Sequence, residues 1–442
     1  MLKTFTKNDV LEKAAEYNVK FIRLQFTNIF GTLKNIAITI EELERALEGQ
    51  ISFDSSVIEG VVGQNEADIL LYPDPSTFVI FPWRPREGAV ARLICDVLNP
   101  DGKPFAGCSR SILKKNLALA EKLNMQFQVG AEIEFFLFQT DDTGKPTVTT
   151  HDQAGYCDLT PVDMGENARR DMVLTLQEMG FDVSSSHHEI APGQHEIFLK
   201  DDDALAMADS ITTFKFVVRT IAQRHGLHAT FMPKPVSEYN GSGQHLLLSL
   251  WQNDSNLFYD ESISEGLSKT AKQFIAGLLE HAGALTAVAN PLVNSYKRIS
   301  ANDLAPILAG WSEGNRSTMI RVPSWRGPGT RAVLRSPDPA GNPYLVMSAA
   351  LQFGLDGIKK SLVPPEPLAK DIPAWEIKKV IRQMGLPRNL EDALRAFRQD
   401  KTAWYALGEA ISSRYLEEKE NEWERFQSKV HPWELEEYLR NY

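Results

Sequence analysis

Cysteine is scarce in this chain: its 442 residues include three, Cys95, Cys108 and Cys157, with no C-x-x-C spacing. An odd number without knuckle spacing points to neither a disulfide framework nor a zinc knuckle, and a reducing cytoplasm fits. Long apolar runs are missing as well. The most apolar stretch, 275–293, is interrupted by Glu280 and His281, and the N-terminus has no signal-peptide core, so neither membrane spanning nor export is expected. Basic excess is also absent. Forty-seven Lys and Arg against 58 Asp and Glu leave a net charge of −11, which argues against nucleic acid or an anionic membrane as the main partner. Any anion must therefore be held by a local arginine cluster. No G-x-x-x-x-G-K-[ST] occurs, which excludes a P-loop ATPase. At 43% hydrophobic and 24% charged, the composition is that of a globular enzyme of two or three domains.

What is present divides into two parts. Residues 8–17 read as a short helix, and Val19–Thr27 alternates with Ile22, Leu24 and Phe26 on one face before a turn at Gly31 and a second strand to Ile40. Pro-rich turns at 72–75 and 81–85 separate further strands, and Asn99-Pro-Asp-Gly-Lys-Pro marks a boundary. A small β-rich domain over 1–103 is expected, followed by a larger α+β domain over 104–442. In the latter, strand-like runs (125–138, 194–199, 228–233, 244–251, 330–335) alternate with helices (109–123, 165–179, 203–225, 265–284, 342–360). After Pro364 the chain is charged and helical, ending in Val430-His-Pro-Trp-Glu-Leu-Glu-Glu-Tyr. Aromatics so near a terminus fit docking on another subunit or packing on their own domain.

The chemistry starts with Glu132 and Glu134, two apart within Val129-Gly-Ala-Glu-Ile-Glu-Phe-Phe-Leu-Phe. A strand puts both carboxylates on one face, where repulsion and desolvation call for a hard divalent cation such as Mg²⁺; a wet amphipathic face is the plainer alternative. His187-His188-Glu189 and His195-Glu196 flank a Pro192-Gly193 turn able to bring Glu189 and Glu196 to one locus. His245 follows Asn240-Gly241-Ser-Gly-Gln, whose glycines allow close backbone approach to a ligand. Each element alone is commonly structural. Together, four carboxylates and a histidine on apolar strands suit a two-metal site with oxygen ligands. Arg298, Arg316, Arg321, Arg331 and Arg335 follow, among Pro, Gly, Trp and small neighbours rather than acids that would pair with them locally. Metal ligands with arginines match phosphoryl transfer, where catalysis is mainly positioning and charge neutralisation.

These residues carry a resemblance. Phe53-Asp54, Ile58-Glu-Gly, Glu132-Ile-Glu-Phe-Phe, His187-His-Glu-Ile-Ala-Pro-Gly-Gln-His-Glu, Ala229-Thr-Phe-Met-Pro-Lys-Pro, Asn240-Gly-Ser-Gly-Gln-His, Asn294-Ser-Tyr-Lys-Arg, Asn315-Arg-Ser and Asn342-Pro-Tyr resemble type I glutamine synthetase over essentially the whole chain. The short form without an adenylylation segment is indicated. The resemblance implies a glutamine synthetase fold, with a β-grasp-like N-terminal domain and a funnel-shaped catalytic α+β domain. It also implies a cytoplasmic homododecamer of two stacked hexamers, with active sites shared between neighbours and the C-terminal segment as inter-ring tail. Its substrates would be glutamate, ATP and an amine, with Mg²⁺ or Mn²⁺ as cofactor. By motif, Glu134, Glu189 and Glu196 would hold one metal, and Glu132 and His245 part of the other. Arg298 and Arg335, beside Asn240 and Gly241, would bind glutamate. Arg316, Arg321 and Arg331 would neutralise the transferring phosphate, and Asp54 from the neighbouring subunit would deprotonate the ammonium.

Several positions depart from the family pattern. Val333 stands where the family's Arg-x-Glu-x-Arg has its metal-binding carboxylate, and Leu304 replaces the flap glutamate, with Asp303 adjacent but expected to point elsewhere. Val57 makes the Asp54-Ser-Ser loop apolar, Leu247 follows His245 where a polar residue is usual, Ser184 and Trp325 replace residues near the nucleotide, and Gly63 replaces a feedback arginine. An unaltered glutamine synthetase would have to tolerate two missing carboxylates, each normally worth a large rate factor. A glutamate-amine ligase therefore ranks first, its acceptor ammonia or a less polar amine. An impaired or inactive paralogue with a binding or regulatory role ranks second. One sound and one defective metal site are expected.

Overall fold

The computed structural model describes residues 5–59, 68–84, 88–301 and 305–442. Leu304, Asp303 and Gly63 lie outside the described residues. The N-terminal helix, Lys7–Glu16, opens at Thr6, whose side chain accepts from the Asp9 amide while Asp9 returns a bond to the Thr6 amide. Next come β1 (Val19–Thr27), β2 (Leu33–Thr39), β3 (Ile51–Asp54), β4 (Asp68–Pro73), β5 (Val79–Ile80) and β6 (Ala89–Leu98). They form one sheet in the order β2-β1-β6-β4-β3, with β5 on β6 and β1 parallel to β6. Ile22, Leu24 and Phe26 are all buried, as the alternation in β1 predicts.

The second sheet contains β7 (Gln126–Thr140), β8 (Pro146–Thr150), β9 (Val183–His188), β10 (Gln194–Asp203), β11 (Leu227–Thr230), β12 (Gln244–Gln252), β13 (Ser255–Asn256), β14 (Leu308–Ser312), β15 (Thr318–Arg321) and β16 (Ala332–Leu334). Its order is β14-β15-β16-β12-β7-β10-β9, with β8 and β11 on β7 and β13 on β12. Pleating sorts β7 into two faces. Phe127, Val129, Ala131, Ile133 and Phe135 are buried at the back, where Phe127 meets Phe274 at 6.3 Å and Phe135 meets Phe214 at 6.2 Å between ring centroids. Those partners sit on the helices Lys269–Glu280 and Ala204–Arg224. Anchoring the apolar face to helices leaves the opposite face, with Glu132 and Glu134, for polar work.

Two domains share one ionic knot. Arg110, on the helix Ser109–Glu121, donates to Asp74 and Asp96 at 2.7 and 2.8 Å and to Asp209 of the helix Ala204–Arg224 at 2.9 Å. A guanidinium this buried requires such a full set of carboxylates.

One expected helix is divided. The pattern over 265–284 gives Lys269–Glu280, started by the Ser268 hydroxyl accepting from the Ala271 amide, and then Ala282–Ala289. His281 lies at the break, its ring held between Asp400 at 2.6 Å and Asp356 at 3.0 Å. Both carboxylates are remote in sequence, so a local pattern carries no sign of them. Among the described residues no helix is long and apolar enough to cross a membrane. Cys95, Cys108 and Cys157 are all unpaired.

Candidate active site

The sheet register assembles an acidic wall. Glu196 of β10 is the direct partner of Glu134 on β7 and of His187 on β9. One pleat along, Glu132 of β7 is opposite Phe198 of β10 and His245 of β12. Residues directly opposite in an antiparallel pair point to the same side. Glu132, Glu134, His187, Glu196 and His245 therefore emerge into one cavity of about 790 Å³, and Glu189 joins them from the turn after β9.

The contacts are specific. His245 Nδ1 donates to Glu132 Oε2 at 2.9 Å, and His187 Nε2 donates to Glu189 Oε1 at 3.0 Å with Glu196 Oε2 at 3.5 Å. Glu134 Oε2 accepts from the Gly243 amide at 2.8 Å and from Gln194 Nε2 at 3.1 Å. Burial, then the charges of Glu134, Glu132 and Glu189, pushes Glu196 up to about 10. Glu134 is also raised, chiefly by burial. Burial opposes ionisation of Glu132 as well, but the His245 hydrogen bond and the charges of His245, Arg331 and Arg321 hold it below the usual carboxylate range.

The donor set fits a hard divalent cation, which would neutralise the repulsion that otherwise keeps a proton on Glu196. On this wall, among the described residues, two groups each have potential ligand atoms within 4.8 Å of one another: Glu132, Glu196 and His245, and His187, Glu189 and Glu196. Glu196 belongs to both. The motif does not mark His187 as a ligand; its place opposite Glu196 follows only from the β9/β10 register.

Arginines form the other wall. Arg298, Arg316, Arg321, Arg331 and Arg335 all line the same cavity, as do Asn240 and Gly241. Arg298 is buried and donates to the Ser336 and Arg335 carbonyls at 2.9 and 3.2 Å. Its neighbours explain the Asn-Gly-Ser-Gly run. A Cβ at Gly243 would stand 2.5 Å from Arg298 Nη2, and one at Gly241 2.3 Å from the Pro233 carbonyl, so Gly243 makes room for the chain's own arginine and Gly241 for the backbone at Pro233. Burial first, then Arg298, pushes Arg335 down to about 10, which an anionic ligand would reverse. Arg331 pairs with Asp201 at 3.1 Å, half-exposed.

Val333 lies between the walls. It is buried in β16, partnered by Leu247 on β12 and Arg321 on β15, and both Val333 and Leu247 line the cavity. Two branched aliphatic side chains thus sit beside Glu132 and His245. Ser185, not Ser184, reaches the cavity from β9, and Trp325 is exposed outside its lining. Asp54 is likewise not part of this lining; its carboxylate accepts from the Ser56 amide at 2.9 Å, and hydrogen bonds from Ser56 hold it below its ordinary value. Val57 turns inward against the core.

Gln194 and Asn315, from two of the quoted motifs, also line the cavity, and Tyr156 and Lys370 do so without a signal in the sequence, since remote segments deliver them. Behind the acidic wall, His188 and His195 point the other way from Glu189 and Glu196. His188 Nε2 approaches Asp152 Oδ1 at 3.3 Å, and Arg169 donates to Asp163 at 2.7 Å and to His195 Nδ1 at 2.8 Å. Asp152 also accepts from the Gly193 amide at 2.9 Å, which ties down the turn carrying both ligand arms.

Fold and cavity define a two-domain α+β protein with carboxylates and arginines across one cleft, a layout suited to phosphoryl transfer. Residues 18–100 match the family described as "Glutamine synthetase, beta-Grasp domain", and residues 106–438 match "Glutamine synthetase, catalytic domain". The chain belongs to the glutamine synthetase family. It is 53% identical over 440 residues to a glutamine synthetase of Clostridium saccharobutylicum, covering 99% of each chain. To a glutamine synthetase of Staphylococcus aureus (strain MW2) it is 48% identical over 445 residues, covering 100% of this chain and 99% of that one. Among solved structures, a GmaS/ADP complex and GmaS without ligand each superpose with a TM-score of 0.88 at 33% identity, over 98% of this chain and 99% of theirs.

Proposed function

We propose that the protein is an ATP-dependent glutamate-amine ligase whose acceptor is ammonia or a small, less polar amine. The observation that carries this reading is the meeting of Glu132, Glu134, Glu189, Glu196 and His245 with five arginines in one cavity. Glutamate would lie between Arg298 and Arg335 beside Asn240 and Gly241. Its γ-carboxylate oxygen attacks the terminal phosphorus of ATP, the bond to the bridging oxygen breaks, and ADP leaves. Arg316, Arg321 and Arg331 neutralise the transferring group. The amine nitrogen then attacks the acyl carbon, phosphate departs with the oxygen that linked it, and Asp54 of a neighbouring copy takes the amine proton. Glu134, Glu189 and Glu196, with Glu132 and His245, would hold Mg²⁺ or Mn²⁺, which supplies charge neutralisation at the phosphates.

The ADP bound by GmaS supports a nucleotide in this fold. The support for an acceptor less polar than ammonium is Leu304 and Val57, which by the resemblance replace the flap carboxylate and a polar group beside the ammonium. Assembly into stacked hexamers rests on the placement of Asp54 away from the cavity lining and on the C-terminal helix Pro432–Tyr438, whose Trp433 is 60% exposed. A cytoplasmic location is consistent with three free thiols.

The test is phosphate release from ATP and glutamate across ammonia, methylamine, isopropylamine, aniline and ethanolamine, with wild type, V333E and L304E. Turnover with at least one amine is expected from wild type. Release with none of them, restored by combining V333E and L304E, would instead identify an impaired paralogue.

A further inference from the structure

A second cavity, of about 720 Å³, opens between the N-terminal sheet and the catalytic domain, apart from the cleft of acids and arginines. One wall is the helix Ala204–Arg224. Thr212, Lys215, Phe216 and Arg219 line the cavity at spacings of three, one and three, which puts them on a single helix face. Arg23 of β1 and Arg84, beyond β5, complete the charged part.

Four cations meet here. No carboxylate lines the cavity among the described residues. Lys215 is buried, and among the described residues its ammonium donates to the Gly341 carbonyl at 3.4 Å, a long contact. Burial and the neighbouring Arg219 push it down to about 7, with Asp338 pulling weakly the other way. Arg219 rests over the Phe231 ring at 5.1 Å, and Arg23 reaches the Asn35 side chain at 3.3 Å. A buried ammonium beside a guanidinium is costly unless an anion arrives to compensate.

The remaining surface is aromatic. Phe81 and Trp83 stack at 4.7 Å between centroids, and each meets Phe216 at 5.5 Å. Three rings beside Lys215 and Arg219 present flat apolar surface next to positive charge. The volume lies within the range of small-molecule sites.

We propose that this cavity binds a small organic anion, a carboxylate or phosphate carried on a planar apolar body. Lys215 and Arg219 hold the charge, and Phe81, Trp83 and Phe216 cover the ring. Such a ligand touches both the N-terminal sheet and the catalytic domain, so it bridges the two.

The experiment is calorimetric titration of the full-length, assembled protein with four probes. Phenyl phosphate and benzoate combine ring and anion and separate the two possible head groups; inorganic phosphate has charge without a ring, and phenol a ring without charge. At least one ringed anion is expected to bind about tenfold or more tightly than either control, the equivalent of about 1.4 kcal/mol. K215M/R219Q should weaken that binding about tenfold or more, with phosphate release from ATP unchanged. W83L should remove the advantage of the ring while sparing inorganic phosphate, and it keeps the test decisive if the double variant does not fold. Failure of both ringed anions to bind, as when a neighbouring copy seals the cavity, overturns the proposal. So does binding of undiminished strength in K215M/R219Q, which would report the arginine-lined cleft instead.

Discussion

Glu134 and Glu196 are direct partners across the β7/β10 ladder, and both carboxylates emerge on the cavity side of the sheet. In an acid whose folded pKa is raised, the proton is held in the folded chain and released from the unfolded one. Stability then falls as pH climbs from the ordinary carboxylate value towards the folded one. For Glu196 that window runs from about 4.5 to about 10. In chelator-treated protein, wild type should lose about 1.4 kcal/mol per pH unit relative to E196Q between pH 6 and 9. Melting temperatures across that range, with EDTA and then with Mn²⁺, check it. Parallel curves for the two proteins in EDTA would show that Glu196 is ionised without metal.

Val333 bears on metal stoichiometry. Its Cα partners are Leu247 and Arg321, so a carboxylate here would point into the cavity near Glu132 and His245, and Arg321 would help to ionise it. Equilibrium dialysis should find one tightly held Mn²⁺ per chain in wild type and two in V333E. Two in the unmodified protein would sink the idea of an impaired second site.

Asp54 offers a test of assembly. If each cavity takes Asp54 from a neighbouring copy, D54A and R335A damage different halves of a composite site. Each variant alone should lose most phosphate release. Rings reassembled from an equal mixture should regain about one quarter of the wild-type rate, since about one interface in four joins two intact halves. No recovery on mixing, with both variants correctly assembled, would place Asp54 outside the shared site.

Period-two reasoning on single strands accounts for much of the fold and of the acidic wall. Glu132 and Glu134 share a face because i and i+2 must, and the Pro192-Gly193 turn does bring Glu189 and Glu196 together. Arg331, Val333 and Arg335 share the cavity for the same reason. What escapes such reasoning is set by pairing between distant segments. His187 becomes a candidate ligand only through its register with Glu196, and Asp152 becomes an anchor for the turn only because β8 leads it beneath β7 and β9. Lys215 and Arg219 read as an ordinary helix face until the N-terminal sheet closes over them.

His281 shows the same dependence and allows a test away from catalysis, since it is outside the cavity lining. Burial opposes its protonation, but hydrogen bonds to Asp400 and Asp356, with their charges, raise it above its ordinary value of 6.5. Its contribution to stability is therefore complete below about pH 6.5 and is lost as pH rises through the higher folded value. H281Q leaves Asp400 capping the Thr402 and Ala403 amides, while Asp356 keeps Lys360 at 2.6 Å, so the variant loses the bridge between them rather than all their partners. Removing one member of a buried charged group costs about 3 kcal/mol or more when nothing else compensates; these remaining bonds place the expected loss nearer about 2 kcal/mol. The deficit in melting temperature should be greatest near pH 6 and shrink by pH 9, with the rate of phosphate release at moderate temperature unaffected. A deficit independent of pH would mean that the ring acts by packing on Phe353, 4.6 Å away between centroids, and not by its charge.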